Sequence, residues 1–339
     1  MPITTEHQQL AINATGNAAK IFATPPAKID RQQIREQLAE LLNRGRLTGR
    51  DEGLVECLRE LNVLSLDQIR RLWWPQAKEA TAYNRLYFLL KQSIIGGARM
   101  PNAGMTEWGL PPRKVYTVGA AGWLWLKEEI NPALSHRHLK RDQVLHDLLV
   151  AELYVRLTEA VRLRGDDWSV TWVGEQGASF YNGDKPTPVI APDGLAIVQQ
   201  RRGEKVATLP LFIELDRSRE AHGRPSSDWG RKVQGYNRFY AHNWQMHPHL
   251  SDLPSFPWVA VITHGAQRLL NLAQAIQKHR QEQVIYYLAL WEDLMGDGDM
   301  LAAPAWLILT PGGDGQQGAR VIGLKREQRQ PLLPDSEEA

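Results

Sequence analysis

The chain of 339 residues is 43% hydrophobic and 23% charged, a balance that buries cores and excludes a disordered or low-complexity protein. Its 40 Lys and Arg against 38 Asp and Glu leave a formal net charge of +2, so any surface for nucleic acid has to be local. Cys57 is the one cysteine, which excludes an intrachain disulfide and a cysteine-built zinc site.

No run of about 18 apolar residues spans a bilayer. Residues 1–30 lack a basic stretch followed by an apolar one, so no export signal is expected, no membrane partner either, and the expected compartment is the cytoplasm. The same residues mix Gln, Thr, Ala and Pro without periodicity and read as a flexible arm. Leu38, Leu41 and Leu42 mark a short helix over 34–44, and Leu54, Leu58 and Leu61 another over 51–62. Ser65 caps a helix over 66–73 that Pro75 stops. A helix over 79–93 carries Tyr83, Leu86, Leu90 and Ile94 on its buried face and is ended by Gly96-Gly97. A Pro/Gly-rich loop to Pro112 and an alternating strand over 114–118 follow. Three helices and a two-stranded ribbon make a winged helix-turn-helix domain, assigned to 31–130.

Beyond a short helix over 123–128, a long helix over 140–164 keeps Val144, Leu148, Ala151 and Val155 in register. Strands are expected at 169–173, 189–199, 206–215 and 258–263, with a helix over 227–242 between the last two. A helix over 269–280 and strands at 284–290 and 305–309 complete a mixed α/β domain over 131–310. The Gly- and charge-rich tail, 311–339, is expected to be flexible. The fold class is thus α+β, or mixed α/β. Twelve Trp against six Phe is an unusual ratio, and most of the indoles fall beside elements, where they serve as bulky packing.

In a helix-turn-helix the second helix enters the major groove of double-stranded DNA. Here it presents Thr81, Asn84, Arg85 and Gln92 toward base edges, with Lys78 and Lys91 near phosphates. Arg99, Arg113 and Lys114 of the wing add backbone contacts. The same scaffold also serves protein–protein packing, with Arg85 an ordinary surface residue, and the sequence leaves both open.

Carboxylates collect at strand ends in the second domain. Glu175 follows the first strand, Asp193 stands in the second behind Pro192, and Glu214 and Asp216 close the third. Antiparallel neighbours bring Asp193 and Glu214 within reach of one Mg²⁺, for which Mn²⁺ substitutes, with Glu175 or Asp216 in support. Lys232 on the next helix then stabilises charge at phosphorus and orients the attacking water. This order resembles the PD-(D/E)xK restriction-endonuclease core. The ordinary reading makes Asp193 a turn residue beside Gly194, Asp216 a cap, and Glu214 a salt-bridge partner of Arg217 or Arg219.

The span 54–272 resembles the replication–relaxation family, bacterial proteins of plasmids and other mobile elements. The matching stretches are Leu64-Ser65-Leu66-Asp67-Gln68-Ile69, Asn84-Arg85-Leu86 and Val115-Tyr116-Thr117-Val118 with Gly122, then His146 and Trp172 with Glu175. Pro192-Asp193-Gly194, Phe212-Ile213-Glu214-Leu215-Asp216-Arg217, and Lys232 with Tyr236 complete the set. The resemblance implies a winged helix fused to a nuclease-like domain, handling DNA in replication, relaxation or mobilisation beside other proteins of those processes. One departure matters: the nuclease pattern places a Lys two residues after the strand Glu, where this chain has Asp216. Either Lys232 has taken over that charge or the site is degenerate. The two functions to separate are therefore a metal-dependent DNA endonuclease and a catalytically inactive accessory factor or transcriptional regulator.

Other features are weaker. His136 and His138, like His247 and His249, lack a third ligand at useful spacing and read as loop residues. His146 reads as a core histidine, and Glu152 on the same helix as a further carboxylate for the site. Tyr236 and Tyr240 imitate a nicking tyrosine, although Tyr240 fits an apolar stripe better. Gly312-Gly313 lacks the Gly-Lys-Ser/Thr of a phosphate loop, which argues against ATP hydrolysis.

Overall fold

The computed structural model describes residues 30–99, 114–127, 141–181, 186–217, 228–242, 244–281, 283–296 and 299–309 apart from 304, together with 108 and 330–332. Residues 1–29 of the expected arm, the loop to Pro112 apart from Trp108, Arg113, His136, His138 and most of the expected tail lie outside them. The chain separates at Val155–Arg156 into two units, and the fold is mixed α+β with two sheets among the described residues.

In the first unit, side chains that satisfy the free amides of helix N-termini set where helices begin. Asp30 accepts from the amides of Gln32 and Gln33 to start α1 (Arg31–Asn43), so this residue of the expected arm is a cap. Thr48 and Asp51 form a capping box at α2 (Gly49–Leu61). After β1 (Leu64–Ser65), Ser65 and Gln68 form another at α3 (Leu66–Trp73), with bonds of 2.9 and 3.2 Å. Helix α4 (Glu79–Lys91), strands β2 (Ile95–Arg99) and β3 (Lys114–Val118) and helix α5 (Ala120–Trp125) follow. The strands form an antiparallel sheet in the order β1-β3-β2. Leu54, Leu58, Ile69, Leu86, Leu89, Ile94 and Val115 are wholly buried between these elements.

Two expectations need correcting here. The buried stripe of α4 is Ala82, Leu86 and Leu89, whereas Tyr83 and Leu90 are 39% and 40% exposed, because the packed phase is displaced by one residue. Gly96-Gly97 does not end the helix, since both lie inside β2. A Cβ on Gly97 would come within 2.8 Å of Leu90 Cδ1, so Leu90 overlies the strand closely there.

Asp51, 1% exposed, is held by Arg85 from α4: Nε donates to Oδ1 at 2.8 Å and Nη2 to Oδ2, while Nη2 also donates to the carbonyl of Arg46 at 2.7 Å. Burial pushes the Asp51 carboxyl up, but Arg85 and Thr48 outweigh it and hold it below the usual range. Long helix α6 (Arg141–Arg164) begins in this unit and crosses its boundary. Within the unit, Glu152 of α6 is bonded by Arg71 and by Gln68 Nε2 at 3.0 Å, which makes it a structural ion pair rather than the further site carboxylate expected of it.

In the second unit, β4 (Trp168–Gly174), β5 (Gly194–Arg202) and β6 (Lys205–Asp216) form an antiparallel meander. Strands β7 (Trp258–Thr263) and β8 (Tyr286–Leu290) join it in parallel and β9 (Trp306–Leu309) closes it antiparallel, giving the order 4-5-6-7-8-9. Helix α7 (Asp228–Ala241) links β6 to β7, α8 (Ala266–His279) links β7 to β8, and the short α9 (Trp291–Leu294) follows β8. Trp229, Val233, Tyr236 and Phe239 of α7 and Leu269, Leu272 and Ile276 of α8 bury one sheet face, against Phe212, Val261 and Leu288. The second strand starts at Gly194, later than expected, since Pro192 brings no N–H to a ladder and Val189–Ile190 instead bridge Phe180. Gln330 bridges Trp306 and Leu332 is buried, so the expected flexible tail is anchored at that point. No described helix is long and apolar enough to cross a membrane.

The Arg85–Asp51 pair yields a stability prediction. Arg85→Ala leaves Asp51 buried without its counter-charge and should lower the stability of the first unit by about 2–3 kcal/mol, measured as a fall in urea midpoint. That is below the full cost of breaking a buried pair because the Arg85 side chain is itself 27% exposed.

Candidate functional site

The alternation of β6 places Phe212, Glu214 and Asp216 on one face of its C-terminal end, and the helical spacing of α7 places Trp229, Lys232 and Tyr236 opposite them. Helix and strand run in opposite senses here. Trp229 meets Asp216, Lys232 and Tyr236 meet Glu214, and the Tyr236 ring lies 5.6 Å from that of Phe212.

Glu214 is 2% exposed. Lys232 Nζ donates to its Oε2 at 2.7 Å and Tyr236 Oη donates to its Oε1 at 2.8 Å. Burial drives the Glu214 carboxyl up to about 7, against the pull of Lys232 and with a further push from the Asp193 charge. Burial and the charge of Glu214 likewise push the Tyr236 and Tyr286 hydroxyls well above the ordinary tyrosine value. Lys232 keeps 29% of its side chain exposed and lies 5.1 Å from the centre of the Trp229 ring.

Asp193 precedes β5. Its amide donates to the carbonyl of Ile213 at 2.9 Å, which extends the Gly194↔Ile213 register by one step and sets Asp193 across from Glu214. Its Oδ2 accepts from the amide of Leu215 at 2.6 Å. A Cβ on Gly194 would strike the Trp172 indole at 2.3 Å, so the residue after Asp193 has to be glycine while Trp172 packs on this strand end.

Two expected members of the carboxylate set stand apart. Asp216 accepts a bidentate pair from Arg268 at 2.7 and 2.8 Å, a bond from Thr263 Oγ1 at 2.8 Å and one from Trp229 Nε1 at 3.3 Å. Burial raises its pKa, but these bonds outweigh it and hold the carboxyl below the usual range, which makes Asp216 a lock between β6, β7 and α8. Glu175 is exposed in the turn after β4, its carbonyl accepting from Ser179. Among the described residues no three His, Cys, Asp or Glu are grouped to hold a metal ion, so Glu175 and Asp216 do not complete a ligand set. That leaves Asp193 and Glu214, two carboxylates facing each other across neighbouring strand ends, and Mg²⁺ keeps several waters and can be bound through only one or two carboxylates. Each oxygen of Glu214 also keeps acceptor capacity beyond its one bond.

Sequence reasoning missed Arg268 and Thr263. The available signal was the parallel pairing of β6 with β7, which sets Asp216 beside Thr263 and brings the first turn of α8 to it. His247, half-buried, sits against the adjacent rings of Phe180 and Phe239, each 5.1 Å away, at the edge of the core.

In the first unit, Thr81, Asn84, Lys91 and Lys114 are exposed. Arg85 is corrected: its guanidinium is occupied by Asp51 and Arg46, so the one fork suited to reading guanine is turned into the protein. Gln92 bonds Gln37 at 2.6 Å, and Arg99 lies on β2 by its backbone.

Residues 55–250, more than half of the chain, match the family model described as Replication-relaxation. No curated protein and no solved structure matches the chain at a significant level.

The raised Glu214 carboxyl carries a pH dependence with a definite sign. Unfolded, the group titrates near its ordinary 4.5, and folded near 7, so between those values the unfolded chain is ionised while the folded one is protonated. The stability from its neutral form is complete below pH 4.5, is lost as pH rises to about 7, and stays lost above. Urea midpoints across that window should decline in the wild type, and the difference between wild type and Glu214→Gln should carry that decline.

Proposed function

The chain belongs to the replication-relaxation family, and from that premise we propose that it is a DNA-handling protein of a plasmid or other mobile element, acting in replication, relaxation or mobilisation. We propose that its second unit cleaves phosphodiester bonds with Mg²⁺. Family membership suggests the process. The observation that carries the chemistry is Glu214, sunk at a strand end, gripped by Lys232 and Tyr236 and set across from Asp193. A purely structural carboxylate gains nothing from a second carboxylate beside it, since like charges raise the cost of ionisation.

In this reading the domain over 131–310 is nuclease-like of the PD-(D/E)xK type, with Lys232 supplying from α7 the charge that the pattern places where Asp216 stands. The domain over 31–130 is a winged helix that binds DNA. The element order α2-β1-α3-α4-β2-β3 and the exposed Thr81, Asn84, Lys91 and Lys114 support it. Arg99 and Arg113 belong to the same proposal. The protein works in the cytoplasm beside other replication or mobilisation proteins.

Asp193 and Glu214 would hold the Mg²⁺, which when bound, or with Mn²⁺ in its place, supplies a water of lowered pKa and positive charge at phosphorus. Hydrolysis joins the water oxygen to phosphorus and breaks one ester P–O bond, the proton passing to the departing sugar oxygen. Tyr236 fixes one oxygen of Glu214, so the carboxylate cannot swing. Lys232 holds the other, and its ammonium offsets the charge that builds on phosphorus. Asp216 and Arg268 act one step back, tying the strand end to α8.

One observation favours the alternative, an inactive accessory factor or regulator: both oxygens of Glu214 are already bonded within the protein. Nicking of supercoiled plasmid with Mg²⁺ or Mn²⁺ separates the two. Wild type should cleave, Asp193→Ala should not, and Lys232→Ala should be slower by about 10²–10³-fold. No metal-dependent cleavage of supercoiled, linear or single-stranded DNA would establish the accessory role.

A further inference from the structure

Three of the large hydrophobic residues exposed among the described residues share one face of α4: Tyr83, Tyr87 and Leu90, at 39%, 47% and 40%. The two tyrosine rings lie nearly parallel, 18° apart, with centroids separated by 6.5 Å. Cations attend both. Lys114 Nζ sits 4.5 Å from the Tyr83 centroid and donates to its hydroxyl at 3.1 Å, and Lys91 Nζ lies 5.5 Å from the Tyr87 centroid. The core of the helix lies elsewhere, on Ala82, Leu86 and Leu89, so nothing in the packing of this unit requires rings on the outer face.

We propose that this face is a stacking platform for unpaired bases, so that the first unit binds single-stranded DNA in preference to duplex. The inference rests on the DNA-handling reading above and names the form of DNA. A duplex offers base edges to a helix in its groove and keeps base faces stacked inside, whereas an open strand offers every base as a flat π surface. The edge-reading chemistry of α4 is thin, because Arg85 is engaged with Asp51 and Asn84 is left as the one exposed amide on the face. The face-reading chemistry is ample. Lys91 and Lys114 pair with phosphates on either side of the rings, a match for a strand carrying both charge and aromatic faces. An acidic peptide would satisfy the lysines and leave the rings bare.

The test uses the full chain and fluorescence anisotropy with a labelled oligothymidine and a duplex of equal length, at one fixed salt concentration. Wild type should bind the single strand more tightly. Tyr83→Ala with Tyr87→Ala should lose at least about tenfold in single-strand affinity, while the paired Tyr→Phe variant should stay within about twofold, since the rings remain. An unchanged thermal midpoint shows that the Ala variant is folded. Independently of any variant, an oligonucleotide carrying 5-bromodeoxyuridine should photo-crosslink to Tyr83 or Tyr87 on the wild-type chain. Duplex preference in the wild type, unaltered single-strand binding in the Ala variant, or crosslinks only elsewhere would overturn the stacking platform and leave the DNA-handling reading standing. Binding of polyglutamate with no binding of either DNA would overturn both.

Discussion

A carboxylate 2% exposed at the end of a central strand is costly to ionise, and it stays there only when both oxygens find partners. Glu214 meets that condition through α7. Its two oxygens need a cation and a hydroxyl one turn apart, which Lys232 and Tyr236 supply, and the phase of the helix on the sheet follows from that demand. Trp229 then falls over Asp216, whose own charge is met by Arg268 at the start of α8 and by Thr263 on the neighbouring strand. Two carboxylates two residues apart therefore organise β6, β7, α7 and α8. Asp216 is closed off by its partners. Glu214 instead has a partner, Lys232, whose side chain is 29% exposed, and a second carboxylate, Asp193, across from it, and the proposal of chemistry at this strand end rests on that asymmetry.

The first unit solves the same electrostatic problem with a different outcome. Asp51 serves the N-terminal capping of α2 and sits too deep to remain without a counter-charge, so Arg85 reaches across from α4 to meet it. The helix that would carry a base-reading arginine thereby loses it from its surface. What remains outside includes two tyrosines, a leucine and lysines beside Thr81 and Asn84, a face with more aromatic surface than edge-reading groups.

Much of the fold was legible because it rests on local rules. Ser65 and Gln68 announce α3 by the spacing of a capping box, and the apolar run Trp258–Thr263 could only be a strand. That Lys232 meets Glu214 and that Asp193 stands across from it were legible because strand ends and the following helix carry these residues in a fixed order. Pairings decided across the chain were not legible. Asp51 and Arg85 are 34 positions apart and Asp216 and Arg268 are 52, and no local periodicity joins them. Ascribing support of the site to Asp216 failed for that reason: its neutralising arginine lies beyond a parallel crossover. The α4 stripe was misplaced because Tyr83 and Leu90 are apolar enough to pass for core, and only the packed phase of Ala82, Leu86 and Leu89 shows which side faces out.

We propose that Asp193 and Glu214 together form a cation site. Electron paramagnetic resonance of Mn²⁺ added to the full chain near pH 8 reads this without reference to cleavage. The expected result is one saturable ion per chain that Mg²⁺ displaces, lost in Asp193→Ala and retained in Glu175→Ala. Absence of saturable binding, or binding that survives Asp193→Ala unchanged, would contradict it.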